Sequence, residues 1–397
     1  MKLFVLGNIN AGKSTYIKKI FSKLPDYKYI AIDEYRIKYN DEQKARNCFI
    51  KDVLKYPNCI VEFTGFGDIA QNLQNKLPNN SCLIIFINTP KEVCINRIND
   101  KIDYFKSIPY PENVDKIGNT INMLDIYIQQ DKLYENWNNA AINIYSVCNN
   151  DNNDLSDDIP YLHYHNLFEL INLFRQNKYK SLISFGSLGR QELTINSDMD
   201  LMLVTSRKVS YIKELLENFY QTNAVIKILG NKLIITMKNN IQIELYVVKN
   251  FIQNIKNYHG SQIKNTAKTI LLGNKNLLET INNALSVYQN TEYLYDNIII
   301  KLENYINLYK KMFNQKDIFG CYFYHSLVIF EYMRILCIKE NITEYLYCPK
   351  NVNENTNTIV KKYKLYEIMP FNYDKDYIEK VISYYHNLIN SIPYKVK

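Results

Sequence analysis

The stretch GSLGRQELTINSDMDLMLV, residues 186–204, decides the fold of the middle of the chain. Apolar runs flank its Gly-Ser turn and predict strands at Ser181–Phe185 and Asp200–Val204. Asp198 and Asp200 are two positions apart, and side chains at this spacing project from the same face of a strand. Both carboxylates can therefore bind one pair of divalent metal ions.

The turn after the first of these strands offers groups that suit a triphosphate. Gly186 and Ser187 present backbone amides and a hydroxyl there. Arg190 has two alternative roles, which are contact with a phosphate or an ion pair with Glu192 that shapes the loop. The whole pattern resembles the DNA-polymerase-β-like nucleotidyltransferase superfamily, which includes protein uridylyltransferases and aminoglycoside nucleotidyltransferases.

This resemblance implies two-metal nucleotidyl transfer from a nucleoside triphosphate, with Mg²⁺ or Mn²⁺ as the cofactor. It implies that Asp198 and Asp200 are catalytic metal ligands and that a neighbouring strand supplies a third carboxylate. Glu244, in a strand predicted at 241–248, is the candidate for that catalytic ligand. Many members of the superfamily carry aspartate at this place, and the alternative interpretation of Glu244 is a solvated strand residue.

A second phosphate-binding signature, GNINAGKS at residues 7–14, follows the apolar run Leu3–Leu6. A strand, a Gly-x-x-x-x-Gly-Lys-Ser turn and a helix form a cradle for anions, because backbone N–H groups point inward at the helix N-terminus. Lys13 would contact the β- and γ-phosphates of ATP or another nucleoside triphosphate, and Ser14 would ligate Mg²⁺. The predicted nucleotide-binding residues are Gly7, Asn8, Asn10, Ala11, Gly12, Lys13, Ser14 and Thr15.

Asp33 and Arg36 follow the second predicted strand, at 28–32. At this end of a parallel strand Asp33 can accept a proton from an acceptor hydroxyl, and Arg36 can bind the acceptor's phosphate. The alternative is an exposed Asp/Arg pair at a helix start. A P-loop followed by Asp-x-x-Arg resembles P-loop kinases of the polynucleotide-kinase type. That resemblance implies Asp33 as general base, Arg36 as phosphate clamp and Arg97 as lid cation, with Lys101 where a second lid arginine is expected.

The third predicted strand, at 58–63, ends in Glu62-Phe63-Thr64-Gly65. Glu62 can hold Mg²⁺ through water, or it is simply the polar end of a strand. The stretch also resembles the Glu-x-Thr-Gly segment of zeta-toxin-like small-molecule kinases. The acceptor of the kinase is therefore open between a polynucleotide 5′-end and a small sugar or nucleotide.

The chain divides into three zones. Residues 1–147 alternate short apolar runs with helical patterns, which predicts a parallel α/β sheet for a P-loop kinase domain. A polar, acidic linker is predicted at 148–160, an α+β nucleotidyltransferase domain at 161–250 and a helical acceptor-binding domain at 251–397.

Length and composition are compatible with an enzyme of several domains. The 397 residues carry a net charge of +8, which suits phosphate-bearing partners and is weak evidence for them. Because no apolar stretch approaches the roughly 18–20 residues of a membrane span, and a predicted strand begins at the N-terminus, we expect a cytoplasmic protein without membrane contact. The sequence leaves the oligomeric state open.

The leading hypothesis is a bifunctional transferase that phosphorylates and nucleotidylates nucleic-acid ends, RNA or DNA, in RNA processing or repair. The alternative is a kinase and nucleotidyltransferase of small molecules, with antibiotic, sugar or nucleotide acceptors. A third hypothesis is a toxin–antitoxin or regulatory protein in which one of the sites only binds nucleotide.

Overall fold

The computed structural model describes residues 1–100, 130–150, 158–252, 266–273, 275–285, 291–340 and 354–390. Lys101 lies outside the described residues, as does most of the predicted acidic linker. The chain forms two compact units. The first contains Met1–Tyr179 with two short segments, Leu193–Asp198 and Asn239–Ile241, and the second contains the remainder.

A five-stranded parallel sheet forms the centre of the first unit. Its strands are β1 (Lys2–Gly7), β2 (Lys28–Ala31), β3 (Cys59–Phe63), β4 (Cys82–Asn88) and β5 (Ala141–Cys148). They lie in the order β2-β3-β1-β4-β5. This confirms the parallel α/β sheet predicted from the sequence, where strands covered on both faces give continuous apolar runs. Strand β5 was not predicted.

Helices cover this sheet and close its core. Trp137 is fully buried between Phe4 and Phe63, and its indole N–H donates to the carbonyl of Gly65 at 2.9 Å. The described helices of the unit are Lys13–Phe21, Ile32–Lys38, Glu42–Lys55, Gly67–Lys76, Lys91–Asp100, Gln130–Trp137 and Tyr161–Gln176.

A six-stranded mixed sheet forms the second unit's centre. Its strands are β6 (Leu182–Phe185), β7 (Met199–Val204), β8 (Ala224–Leu229), β9 (Lys232–Met237), β10 (Gln242–Val248) and β11 (Ile270–Leu272). They lie in the order β11-β6-β7-β10-β9-β8. Strands β6 to β10 match the sequence prediction, whereas β11 lies in a zone that was predicted to be helical. Strands β7 and β10 run parallel, and their register sets Glu244 beside Asp200.

Helices make up most of the described chain after β11. The pair Thr291–Asn314 and Ile318–Lys339 shares an apolar core that includes Leu302, Tyr332 and Leu336. The other described helices of the second unit are Gly186–Gly189, Val209–Tyr220, Thr266–Thr269, Lys275–Leu285, Glu354–Lys362 and Lys375–Asn390, with 3₁₀ turns at Gln221–Asn223 and Leu365–Glu367.

Of the described helices, Ile318–Lys339 is long and apolar enough to cross a membrane. The sequence analysis had expected no apolar stretch of this length, so that expectation was wrong for this helix. Its most apolar window is 61% buried inside the protein, as in the core helix of a soluble domain, so the helix is weak evidence for a membrane span.

Candidate active sites

Three carboxylates converge at one end of the mixed sheet. Asp198, Asp200 and Glu244 each offer an oxygen, and these oxygens all lie within 4.8 Å of one another. Asp198 immediately precedes β7, while Asp200 and Glu244 are paired in the register of β7 and β10. Clustered carboxylate oxygens are the donors that Mg²⁺ and Mn²⁺ prefer, so the three side chains fit the predicted cation.

Gly186 lies directly against this cluster. Its φ of +64° falls in the left-handed region that favours glycine, and a Cβ built on it would stand 2.0 Å from Asp200 Oδ2. Gly186 therefore permits both the turn and the close approach of the backbone to the carboxylate. The turn continues as the single helical turn Gly186–Gly189, and the Ser187 carbonyl accepts a hydrogen bond from the Glu192 N–H at 2.8 Å.

Two polar residues contact Glu244 and were missed in the sequence. The Lys232 Nζ donates to Glu244 Oε2 at 2.9 Å, and the Gln242 Nε2 donates to Glu244 Oε1 at 3.3 Å. The hydrogen bond to Glu244 raises the pKa of the Lys232 ammonium. Lys232 opens β9 directly after a Gly-Asn turn, so pairing of the predicted β9 and β10 could have suggested this neighbour.

Arg190 pairs with Glu192, one of the two roles left open by the sequence. Its Nε donates to Glu192 Oε2 at 2.9 Å, and the arginine is 8% exposed. The ion pair holds the backbone between the turn and the acidic residues in a fixed shape.

The P-loop of the first unit is stabilised by its own lysine. Lys13 Nζ donates to the carbonyls of Gly7 at 3.1 Å and Asn8 at 2.8 Å. Burial lowers the pKa of the Lys13 ammonium, while the carboxylates of Glu62 and Asp33 oppose that shift. The lysine therefore lies inside the loop formed by residues 7–14, close to two acidic groups.

The Glu62 carboxylate accepts hydrogen bonds from both Ser14, the predicted magnesium ligand, and Tyr29 on β2. Ser14 Oγ donates to Glu62 Oε1 at 2.7 Å, and the Tyr29 hydroxyl donates to Glu62 Oε2. Burial, and after it the bond to Glu62, raises the pKa of Tyr29, so this hydroxyl stays a donor. Glu62 thus lies beside Ser14, as the magnesium interpretation requires.

Asp33 and Arg36 contact each other at the start of the helix Ile32–Lys38. Arg36 Nη1 lies 3.3 Å from Asp33 Oδ1, and its Nη2 lies 2.9 Å from Glu42 Oε1. Although burial acts to raise it, the pKa of Glu42 is lowered by hydrogen bonds from Arg36 and Arg46. Arg36 is thereby anchored, while the Asp33 side chain is 58% exposed.

Arg97 lies at the P-loop, where the resemblance placed a lid cation. Its Nη1 donates to the Asn10 carbonyl at 3.2 Å and its Nη2 to Asn149 Oδ1 at 3.4 Å. Asn149 and Thr89 both donate to the Ala11 carbonyl, at 2.6 and 2.8 Å. Asn149 was missed because it follows β5, the strand that the sequence did not reveal.

The comparisons with known proteins give only remote similarities. No family model matches the chain, and no curated protein sequence matches it. A cytoplasmic RNA terminal U-transferase is 18% identical over 46% of this chain and 47% of that one, with a TM-score of 0.22, so the chain spans about half of that protein's length. A shikimate kinase from Bacteroides thetaiotaomicron is 15% identical over 44% of this chain and 98% of that one, with a TM-score of 0.23. Similarities this low carry no argument about function.

Proposed function

We propose that the chain is a bifunctional transferase, with a Mg²⁺-dependent kinase site at the P-loop and a two-metal nucleotidyltransferase site at the mixed sheet. The observation that carries the proposal is the convergence of Asp198, Asp200 and Glu244 within 4.8 Å, against the Gly186 turn. Clustered carboxylates repel one another, and a divalent cation relieves that repulsion.

At the nucleotidyltransferase site, the residues divide into three groups with different roles. Asp198, Asp200 and Glu244 would hold the cations, which when bound stabilise charge on the attacking and leaving oxygens. Gly186 and Ser187 bring backbone amides close enough to orient a triphosphate. Lys232 neutralises part of the negative charge through its 2.9 Å contact with Glu244.

At the kinase site, Lys13 exchanges the carbonyls of Gly7 and Asn8 for the β- and γ-phosphates of the bound nucleotide. Ser14, with Glu62 beside it, would hold Mg²⁺. Asp33 accepts the proton of the acceptor hydroxyl.

Two arginines complete the kinase site. Arg36 binds the acceptor's phosphate, because a guanidinium presents paired donors to phosphate oxygens. Arg97, which donates to the Asn10 carbonyl, would offset charge on the transferred phosphoryl group.

For the acceptor we propose nucleic-acid ends, RNA or DNA, in RNA processing or repair in the cytoplasm. Phosphorylation and nucleotide addition are both reactions of polynucleotide ends, so one substrate would account for both sites. A small-molecule acceptor is the second candidate, because Glu62-Phe63-Thr64-Gly65 resembles the Glu-x-Thr-Gly stretch of zeta-toxin-like small-molecule kinases.

Separate incubations with α-labelled and γ-labelled nucleoside triphosphates test the proposal. We expect the α-label to reach an acceptor through the mixed-sheet site and the γ-label through the P-loop site. If neither RNA ends nor small hydroxylated acceptors take up α-label, the nucleotidyltransferase assignment is wrong.

The class of acceptor is tested by retention of labelled RNA on a filter with the intact chain at low salt. Phosphate contacts are strongest at low ionic strength, so a polynucleotide substrate should be retained there and released as salt rises. A lack of retention at low salt favours the small-molecule acceptor.

A further inference from the structure

The loop that delivers Asp198 is held at two places by residues from elsewhere in the first unit. The Tyr145 hydroxyl, on β5, donates to the Leu193 carbonyl at 3.0 Å. The His163 imidazole, on the helix Tyr161–Gln176, contacts the Ser197 carbonyl through Nε2 at 3.0 Å. Ser197 is the residue before Asp198, so the second contact fixes the peptide that joins the two.

Between these two contacts the loop forms a closed turn. The Ser197 N–H donates to the Thr194 carbonyl at 3.1 Å, and the Thr194 N–H donates to Ser197 Oγ at 3.1 Å. The Leu193 side chain is 2% exposed and anchors the start of the turn. The turn is therefore compact in itself, and an external hydrogen bond holds it near each of its two ends.

Both external groups are donors at neutral pH. A backbone carbonyl can only accept, so His163 presents its Nε2–H to Ser197. Burial lowers the pKa of His163, although the bond to the Ser197 carbonyl opposes this, and the ring is neutral at pH 7. Burial raises the pKa of Tyr145 to about 12, so its hydroxyl remains protonated.

We propose that His163 and Tyr145 are positioning residues for Asp198, which hold its loop so that its carboxylate joins those of Asp200 and Glu244. The inference rests on the proposed nucleotidyltransferase site. It adds Tyr145 and His163 to the residues that place the loop of Asp198. Neither residue contacts the cation or the substrate in this role.

The expected effect follows from the size of one hydrogen bond. Removing the donor from a carbonyl costs about 0.5–1.5 kcal/mol of net interaction, which corresponds to about two- to tenfold in an equilibrium constant. We therefore expect His163→Ala to weaken Mn²⁺ binding at the acidic cluster about three- to tenfold. His163→Gln keeps an N–H donor at a similar reach and should restore most of that binding.

The experiment is a Mn²⁺ titration of the full chain, followed by electron paramagnetic resonance. The Mn²⁺ binding that the Asp198→Ala, Asp200→Ala double variant loses is the binding assigned to the acidic cluster. His165→Ala is the matched control, because His165 lies on the same helix and bonds to Tyr27 at 2.7 Å. Hydrogen–deuterium exchange of residues 193–198 provides a second measurement that needs no metal.

The proposal expects weaker Mn²⁺ binding and faster exchange in His163→Ala, recovery in His163→Gln, and wild-type values in His165→Ala. Tyr145→Phe should show the same two effects to a smaller extent, and it keeps the positioning role testable if His163→Ala does not fold. Wild-type Mn²⁺ affinity and exchange in both His163→Ala and Tyr145→Phe would overturn the positioning role and leave the proposed function standing. A wild-type chain with no Mn²⁺ binding that depends on Asp198 and Asp200 would overturn both.

Discussion

The P-loop and the acidic cluster are assembled in opposite ways. The P-loop is one contiguous segment, and its cation Lys13 is held by carbonyls of the same loop. The acidic cluster joins residues more than forty positions apart, and the parallel register of β7 and β10 sets Asp200 beside Glu244. A contiguous motif therefore carries its own geometry, whereas a site spread over strands depends on correct sheet pairing.

The two regions also differ in what a ligand must displace. At the proposed kinase site, bound phosphates would replace the contacts of Lys13 with the carbonyls of Gly7 and Asn8. In the acidic cluster, Lys232 already supplies a positive charge to Glu244, so a bound cation would be a second positive charge beside the same carboxylate. Nucleotide binding would therefore exchange the neutral partners of Lys13 for charged ones, whereas cation binding would add positive charge to a cluster that Lys232 already neutralises in part.

The largest expected effect is the loss of nucleotidyl transfer when Asp198 and Asp200 are both changed to alanine. We expect a fall of roughly 10³-fold or more, because bound cations supply several kcal/mol of charge stabilisation in the transition state. Transfer of the γ-phosphoryl group should be unchanged, because the P-loop uses other residues. Rates with α- and γ-labelled triphosphate measure both, and surviving α-label transfer would falsify the two-metal assignment.

Lys13→Ala is the reciprocal test and should lower γ-phosphoryl transfer by roughly 10²–10³-fold, since the variant loses a preorganised positive charge at the phosphates. Nucleotidyl transfer should continue at the wild-type rate. The same labelled substrates report both activities in one preparation. If both activities fall together, the two sites are not independent and the comparison between them breaks down.

Gly186→Ala should lower nucleotidyl transfer by about 10²-fold, because the added Cβ would stand 2.0 Å from Asp200 Oδ2 and displace that carboxylate. Gly230→Ala is a matched control, since Gly230 has a similar φ of +62° but nothing within 4 Å of the added Cβ. Both variants carry comparable backbone strain, and only the Cβ added at Gly186 meets Asp200, a proposed metal ligand. Equal activity in the two variants would show that the close approach is unimportant.

The sequence predicted the strands of both sheets with two exceptions, and the exceptions have physical causes. In β5, Asn143 and Ser146 interrupt the apolar pattern. Asn143 is nevertheless buried, and its amide donates a hydrogen bond to the Tyr164 hydroxyl. Strand β11 has three residues, too few to show any periodicity, and exists through its pairing with β6.

The same limit applies to the candidate sites. The Asp198, Asp200 and P-loop motifs could be found from residue type and spacing alone, because each lies within one short segment. Asn149 could not, because it follows β5, a strand that the sequence did not reveal, and Lys232 required the pairing of β9 with β10 in addition to its residue type. Sequence reasoning therefore identified the groups proposed to carry the chemistry, and the structure added the residues that hold them in place.

The smallest expected effect concerns the ion pair that anchors Arg36. The Glu42 side chain is 11% exposed and accepts from Arg36 at 2.9 Å and from Arg46 at 2.7 Å. Its pKa is lowered in the folded state, so this interaction stabilises the fold above the unfolded pKa, near 4.3, and is lost as the pH falls through the folded pKa.

We therefore expect Glu42→Gln to lower the free energy of unfolding at pH 7 by about 1–2 kcal/mol. The difference from the wild type should shrink as the pH falls below about 4.3, because the Glu42 carboxylate then takes up a proton in the unfolded chain before it does so in the folded one. Thermal melting between pH 3 and pH 7 measures this, with Asp68→Asn as the control, since Asp68 is 76% exposed and contacts Arg46 at 3.3 Å. A deficit that stayed constant across this pH range would mean that Glu42 acts through packing, and Arg36 would then need another explanation for its fixed position.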